Sequence, residues 1–358
     1  MKKKNLTKCL ILSMLCLFFV HCKKSSSTPG GVNSDQKQAA SFPNELRPGL
    51  ILRYNGGGEK DKLIVYVDSI DKSKGQCTIQ YLYLSGQEEK FYFYQTRIVP
   101  LDNFKYSHKI SHSFSSQGGS VENMGSMNTF FGSEEIINEL LTSRETTFSV
   151  ETNNSVTGLL KTDLKPQKLL YNGEETSIPS IQAKTGPLNS RFHKSFPIWF
   201  HNQPNFPLLL RYSQDILSSL DDVDRIAALL RNTLESKKSL LTGSLYFAIY
   251  NLSGSPTRRE LMTISKRLWT QGILPVVSKN KTQKLIVEIF PVKNGIASQA
   301  ISKNKDLKQV IQNLQTFLAA TLSPEQLFVR EGTRTDNFPE ETSPIGSDPE
   351  YRVLIRLE

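Results

Sequence analysis

Residues 62–99 read KLIVYVDSIDKSKGQCTIQYLYLSGQEEKFYFYQTRIV and contain three successive runs of strand-forming residues. The runs cover 62–70, 76–84 and 90–99. Segments 71–75 and 85–87, each with a glycine, separate them. Val, Ile, Tyr and Phe in runs of strand length with short Gly-containing turns favour antiparallel hairpins. This segment therefore predicts hairpins that close into a sandwich or partial barrel.

Shorter runs of the same type extend the pattern over residues 42–212. They are predicted as strands at 49–54, 146–152, 156–161, 168–171, 176–184 and 208–212. Ser133 is expected to cap a short helix, 134–141, since its hydroxyl can accept a hydrogen bond from a free N–H. The glutamates that follow suit the positive start of a helix. We assign 42–212 to an antiparallel β-rich domain.

The pattern changes after residue 212. Apolar residues recur at helical spacing behind three aspartates, so 213–240 is predicted to hold a connecting helix, from 221 to 234. Strands and helices then alternate. The strands are expected at 244–250, 284–290, 327–330 and 352–357, and the helices at 256–270 and 306–320. This order predicts a small βαβαββ domain over 241–358, and the fold class is α+β.

The N-terminal segment, MKKKNLTKCLILSMLCLFFVHC, is typical of an export signal. Lysines precede an apolar run from 9 to 20, which suits a signal sequence and is short for a membrane span. The run ends at Cys22 and resembles the lipobox of bacterial lipoproteins, although Phe19 and His21 depart from the usual residues. The resemblance implies a signal peptide at 1–21 and an acylated Cys22, and two acyl chains anchor a protein stably. An ordinary secretory signal cut elsewhere and an uncleaved anchor are the alternatives.

Composition limits the partners. Segment 22–41 carries almost no large apolar side chain and is expected to be the lipidated cysteine and a flexible tether. The formal charge of +10 falls to +6 when the signal lysines leave. No dense basic stripe with aromatic residues is present, so nucleic acid is not expected as a partner. Cys77 is the one cysteine of the expected folded body, which excludes a disulfide scaffold.

Several segments of the last third resemble the OmpA C-terminal-like domain. The resemblance implies a peptidoglycan-binding fold in the cell envelope, preceded here by an envelope β domain. The resemblance rests on an aromatic first strand, an Asn-x-x-Leu helix start and an Arg-containing last strand. The matching segments are 245–247, 256–261, 304–307, 322–327, Gly332 and 351–355.

The departures from that family concern its binding residues. The resemblance implies an aspartate and an arginine that hold the ammonium and carboxylate of diaminopimelate. Val292 stands at about the aspartate position and Ile311 at the arginine position. Neither side chain can replace a charge. Arg352 is the matching polar residue that remains, with Lys293 and Asn294 as substitute wall contacts, so peptidoglycan binding is expected to be weak or lost.

The remaining candidates carry no recognisable chemistry. No nucleophile elbow, phosphate loop or Cys-x-x-Cys motif is present, so we expect no enzyme and no cofactor. His108 and His112 are four residues apart, but the sequence places no acidic residue beside them, and surface histidines are favoured over a metal site. Cys77 lies within a predicted strand and is expected to be buried and inert.

Two functions are compatible with this pattern. The first is a non-enzymatic envelope lipoprotein, held by the lipid on Cys22 in the outer membrane and facing the periplasm or the cell surface. Weakly bound peptidoglycan or other envelope proteins would be its partners. The alternative is a periplasmic carrier whose β domain binds a lipid or another hydrophobic ligand, since the aromatic residues of 81–94 could line an apolar groove.

Overall fold

The computed structural model describes residues 42–56, 62–85, 90–111, 121–150, 156–186, 195–243, 263–293, 296–297, 305–332 and 351–358. All of them belong to one compact unit, Phe42–Glu358. The unit is mixed α+β and consists mostly of strands. The expected signal peptide, 1–21, and the expected tether, 22–41 with Cys22, lie outside the described residues.

The N-terminal strands form one continuous sheet with the order β5-β7-β8-β9-β10-β11-β12-β1-β2-β3-β4-β6. The hairpins predicted from 62–99 are confirmed, because β2, β3 and β4 are antiparallel neighbours. The strand bounds are β1 (Leu50–Asn55), β2 (Lys62–Asp71), β3 (Gln76–Ser85), β4 (Lys90–Pro100), β5 (Lys109–Ile110), β6 (Val121–Asn123), β7 (Glu145–Val150), β8 (Val156–Tyr171), β9 (Glu174–Thr185), β10 (Pro197–His201), β11 (Leu209–Tyr212) and β12 (Asp215–Asp222).

The sheet curls until two distant strands meet. β8 pairs in parallel with β12, where Ser219 lies opposite Leu170 and Leu220 opposite Tyr171. Strands β8 to β12 therefore form a closed ring within the sheet. Two short helices, α1 (Asn103–Tyr106) and α2 (Glu134–Thr142), lie in the connections, and Ser133 caps α2 as predicted.

Aromatic side chains fill the space that the curled sheet encloses. Tyr54 and Tyr81 each place a ring against Phe130, at centroid distances of 5.8 and 5.7 Å. Arg97 is also fully buried there, with its Nη1 donating to the carbonyl of Ser111 and to the hydroxyl of Thr129. A buried guanidinium needs such partners to offset its lost hydration.

The connecting segment differs from the prediction at both ends. Residues 213–240 were expected as a helix connection, but Asp215–Asp222 is strand β12 and the helix α3 spans Val223–Lys237. Asp221 was expected to start the helix. It is instead buried in the strand and pairs with Arg53, while Asp222 caps the helix by accepting from the N–H of Asp224.

A second, smaller sheet has the order β13-β17-β14-β16. β14 is parallel to β16 and antiparallel to β17, and β15 extends it by a hairpin. The bounds are β13 (Ser239–Gly243), β14 (Leu285–Lys293), β15 (Ile296–Ala297), β16 (Leu327–Glu331) and β17 (Tyr351–Leu357). The helices are α4 (Thr263–Arg267), continued by a π-helical turn (Leu268–Ile273) into α5 (Leu274–Ser278), and α6 (Lys305–Ala319).

The helix predicted to end at residue 270 continues to Ser278. Gly272 lies inside this continuation and allows close packing against α3. A Cβ at this position would lie 3.0 Å from the carbonyl oxygen of Ala227. The strand predicted at 244–250 lies outside the described residues, and a strand at Ser239–Gly243 precedes it.

The two predicted domains share one hydrophobic core. Ile51, Ile64 and Tyr66 of the large sheet belong to the same buried cluster as Trp269 and the inner residues of the small sheet. Polar contacts accompany this packing, since the Gln80 side chain accepts from the N–H of Thr263 and donates to its hydroxyl. Among the described helices, none combines the length and apolar character needed to cross a bilayer.

Candidate functional site

The positions implied by the OmpA resemblance lie at one end of the small sheet and on α6. Val292 and Lys293 end β14, where they pair with Ala297 and Ile296. Arg352 lies on the neighbouring β17, opposite Phe290. Asn294 lies outside the described residues. The fold thus places Lys293 and Arg352 on adjacent strands.

Ile311, at the position of the family's arginine, packs partly buried against the shared core. It lies on the face of α6 that also buries Leu307, Val310 and Leu314. The apolar residue is therefore part of the helix packing, and its side chain cannot bind a carboxylate.

The small sheet has another charged group that the sequence analysis missed. Glu288, 6% exposed, accepts from the Nε and Nη2 of Arg330 at 3.0 and 2.7 Å and from the Nη2 of Arg356 at 2.7 Å. Both carboxylate oxygens are thus engaged by guanidinium groups. A ligand carboxylate would have to compete with Glu288 for either arginine. The single charged residue within the apolar run of β14 was the signal for this group.

A cleft of about 630 Å³ lies between α2 and strands β7, β8 and β9. Thr146, Leu159 and Lys184 contribute to its wall. Leu160 also lines it and is 55% exposed. The exposed lining is mainly apolar.

Next to this cleft, the fold brings two carboxylates to His108. The Nε2 atom lies 3.6 Å from an Oε2 of Glu135 and 3.9 Å from that of Glu139. Glu139 also lines the cleft. The expectation that His108 has no acidic partner is therefore wrong, because α2 folds back onto the start of β5. His112 lies outside the described residues.

Two other side chains have structural roles. Cys77 is buried as expected, and burial raises the pKa of its thiol to about 12, so thiolate is scarce at neutral pH. His201 is buried among Phe42 and Phe206, and its Nδ1 lies 3.1 Å from the carbonyl oxygen of Phe206. Burial lowers the pKa of His201 to about 4.

Comparisons of the chain with protein-family models, with curated proteins and with solved structures find no match.

His201 should make stability depend on pH. Its pKa is about 4 in the folded state against 6.5 for the free side chain, so the unfolded chain binds more protons between these values. The free energy of unfolding should fall by about 2 kcal/mol through this group as the pH drops from 7 to 5. Urea denaturation of the native chain and of His201→Gln at both pH values measures the effect. The variant should lose less stability than the native chain, and an equal loss in both would contradict the assignment.

Proposed function

We propose that this chain is a non-enzymatic lipoprotein of the bacterial cell envelope, anchored in the outer membrane through acylated Cys22. The observation that carries the proposal is the apolar run, preceded by lysines, that ends at this cysteine and is followed by a polar stretch up to residue 41. The compact unit begins at Phe42, directly after that stretch. Such an arrangement suits a body held away from a bilayer by a tether, with envelope proteins as its partners.

We further propose that the C-terminal part is a divergent OmpA C-terminal-like domain. Its described elements support this by their order, which is strand-helix-strand-helix-strand-strand apart from the two-residue β15, and by a five-stranded sheet in which β14 and β16 are parallel. The packing of Ile311 against the core supports the loss of wall binding. Without a charge at Val292 or Ile311, Arg352 would meet diaminopimelate alone. The domain then acts as a scaffold and binds peptidoglycan weakly or not at all.

Acylation can be tested by palmitate incorporation. In bacteria that process lipoproteins, the native chain should incorporate radiolabelled palmitate and Cys22→Ala should not, because the thiol is the acceptor. Cys16→Ala is the matched control, since it removes a thiol from the same apolar segment and should keep the label. Equal labelling of native chain and Cys22→Ala would rule out the lipoprotein proposal.

Wall binding can be tested by retention on diaminopimelate-containing peptidoglycan. The native chain should be retained weakly, and Val292→Asp combined with Ile311→Arg should be retained more strongly. Replacing Ile311 removes part of its apolar packing, at a cost of about 1–2 kcal/mol, and brings a charge close to the core, which adds to that cost, so the folded state is checked by circular dichroism. Val292→Asn with Ile311→Gln is the uncharged control. Tight retention of the native chain that survives Arg352→Ala would contradict the proposal.

A carrier of a hydrophobic ligand is the second candidate function, and the apolar cleft beside Leu160 is the observation that favours it. The buried cluster of the large sheet offers less room, since aromatic rings fill it. Native mass spectrometry should then detect a co-purified lipid on the chain. Leu160→Lys should reduce its occupancy, whereas Leu164→Lys should not. Leu164 lies on the same strand and is 49% exposed, but it does not line the cleft. Equal occupancy in both variants, or none in the native chain, would reject this function.

A further inference from the structure

Helix α2 presents two carboxylates on successive turns. Ser133 fixes the start of the helix by accepting from the N–H of Ile136 at 3.3 Å. Glu135 and Glu139 follow at a spacing of four residues, which places them on one face. Ile136 and Leu140 of the same helix are buried in the core, so the face that carries the two glutamates points away from the core. The carboxylates are thus held beside β5 and β7.

His108 approaches this face from the segment just before β5. Its carbonyl accepts from the N–H of Ser149 at 2.8 Å, which ties the residue to β7. The Nε2 atom is buried and makes no hydrogen bond to any part of the chain that the structure describes. Its nearest acidic partners are the two glutamate oxygens at 3.6 and 3.9 Å. The other ring nitrogen, Nδ1, lies 3.4 Å from the hydroxyl oxygen of Thr147.

These distances are close to those of a metal site. A tetrahedral ion with bonds of about 2.1 Å holds its ligand atoms about 3.4 Å apart. The three candidate ligand atoms all lie within 4.8 Å of one another, so small rotations of the exposed glutamate side chains would bring them to bonding distance. We propose that His108, Glu135 and Glu139 bind a divalent transition-metal ion of the Zn²⁺ class.

The neighbouring hydroxyl groups fit this role. A histidine that binds metal through Nε2 commonly donates its Nδ1 proton to a nearby acceptor, which Thr147 supplies here. The hydroxyl of Thr146 donates to Oε2 of Glu139 and orients that carboxylate. One imidazole with two carboxylates suits Zn²⁺, whereas Ca²⁺ and Mg²⁺ prefer oxygen ligands alone. Glu139 also lines the cleft, so a fourth ligand position would open toward solvent.

Isothermal titration calorimetry of the purified full chain in detergent, after removal of metals by a chelator, tests the proposal. The native chain should bind one equivalent of Zn²⁺, and Ca²⁺ much more weakly. His108→Ala should lower the affinity for Zn²⁺ at least tenfold, and Glu135→Gln and Glu139→Gln should each lower it. Circular dichroism checks that the variants fold. The Glu135 side chain is 47% exposed, so Glu135→Gln keeps the test valid if His108→Ala fails to fold.

The matched control is Glu134→Gln. It removes a carboxylate from the same helix turn, and Glu134 does not belong to the group around His108. Its affinity should equal that of the native chain. Absence of a one-equivalent Zn²⁺ isotherm, unchanged affinity in His108→Ala, or equal losses in Glu134→Gln and Glu135→Gln would each overturn the proposal. Equal affinity for Ca²⁺ would overturn it as well. The result does not depend on acylation of Cys22.

Discussion

Burial of both faces of strands β1 to β3 is the constraint on which the rest of the structure depends. Along β2, Leu63 and Val65 face the aromatic cluster of the large sheet, while Ile64 and Tyr66 face the helices. Successive side chains of a strand point to opposite faces, so a run without polar interruptions needs a cover on each side. One cover is the curled remainder of the sheet. The other is the layer of α3 with α4 and α5, which carries the small sheet behind it.

This constraint explains where prediction from the sequence succeeded. Strand-forming runs separated by glycine turns are local signals, and β2, β3 and β4 follow them closely. Local signals were ambiguous where tertiary contacts decide. Asp221 and Asp222 both suit a helix start, but only Asp222 caps α3, because Asp221 lies in strand β12 and pairs with the partly buried Arg53. The helix predicted to end at residue 270 continues past Gly272, where α3 packs too closely for a side chain.

The candidate sites also differ in how far they could be predicted from the sequence. The absence of charge at Val292 and Ile311 could be seen in the sequence, and the structure adds that Ile311 belongs to the helix packing. The group around His108 could not be predicted. Glu135 and Glu139 have a spacing typical of one helix face, yet nothing in the sequence indicates that His108 lies opposite. The parallel pairing of β5 with β7 brings it there, and pairing between short strands leaves no periodic pattern.

The shared core also explains why an apolar residue suits position 311. Here Ile311 joins a core that continues through α3 to Tyr66 and Ile51 of the large sheet. A guanidinium at that position would face apolar side chains, and a partly buried charge without a partner is costly. Within this shared core, the apolar residues of α6 contribute to packing that a charge would disturb. The nearby arginines, Arg330 and Arg356, illustrate the same balance, because Glu288 holds both within the sheet.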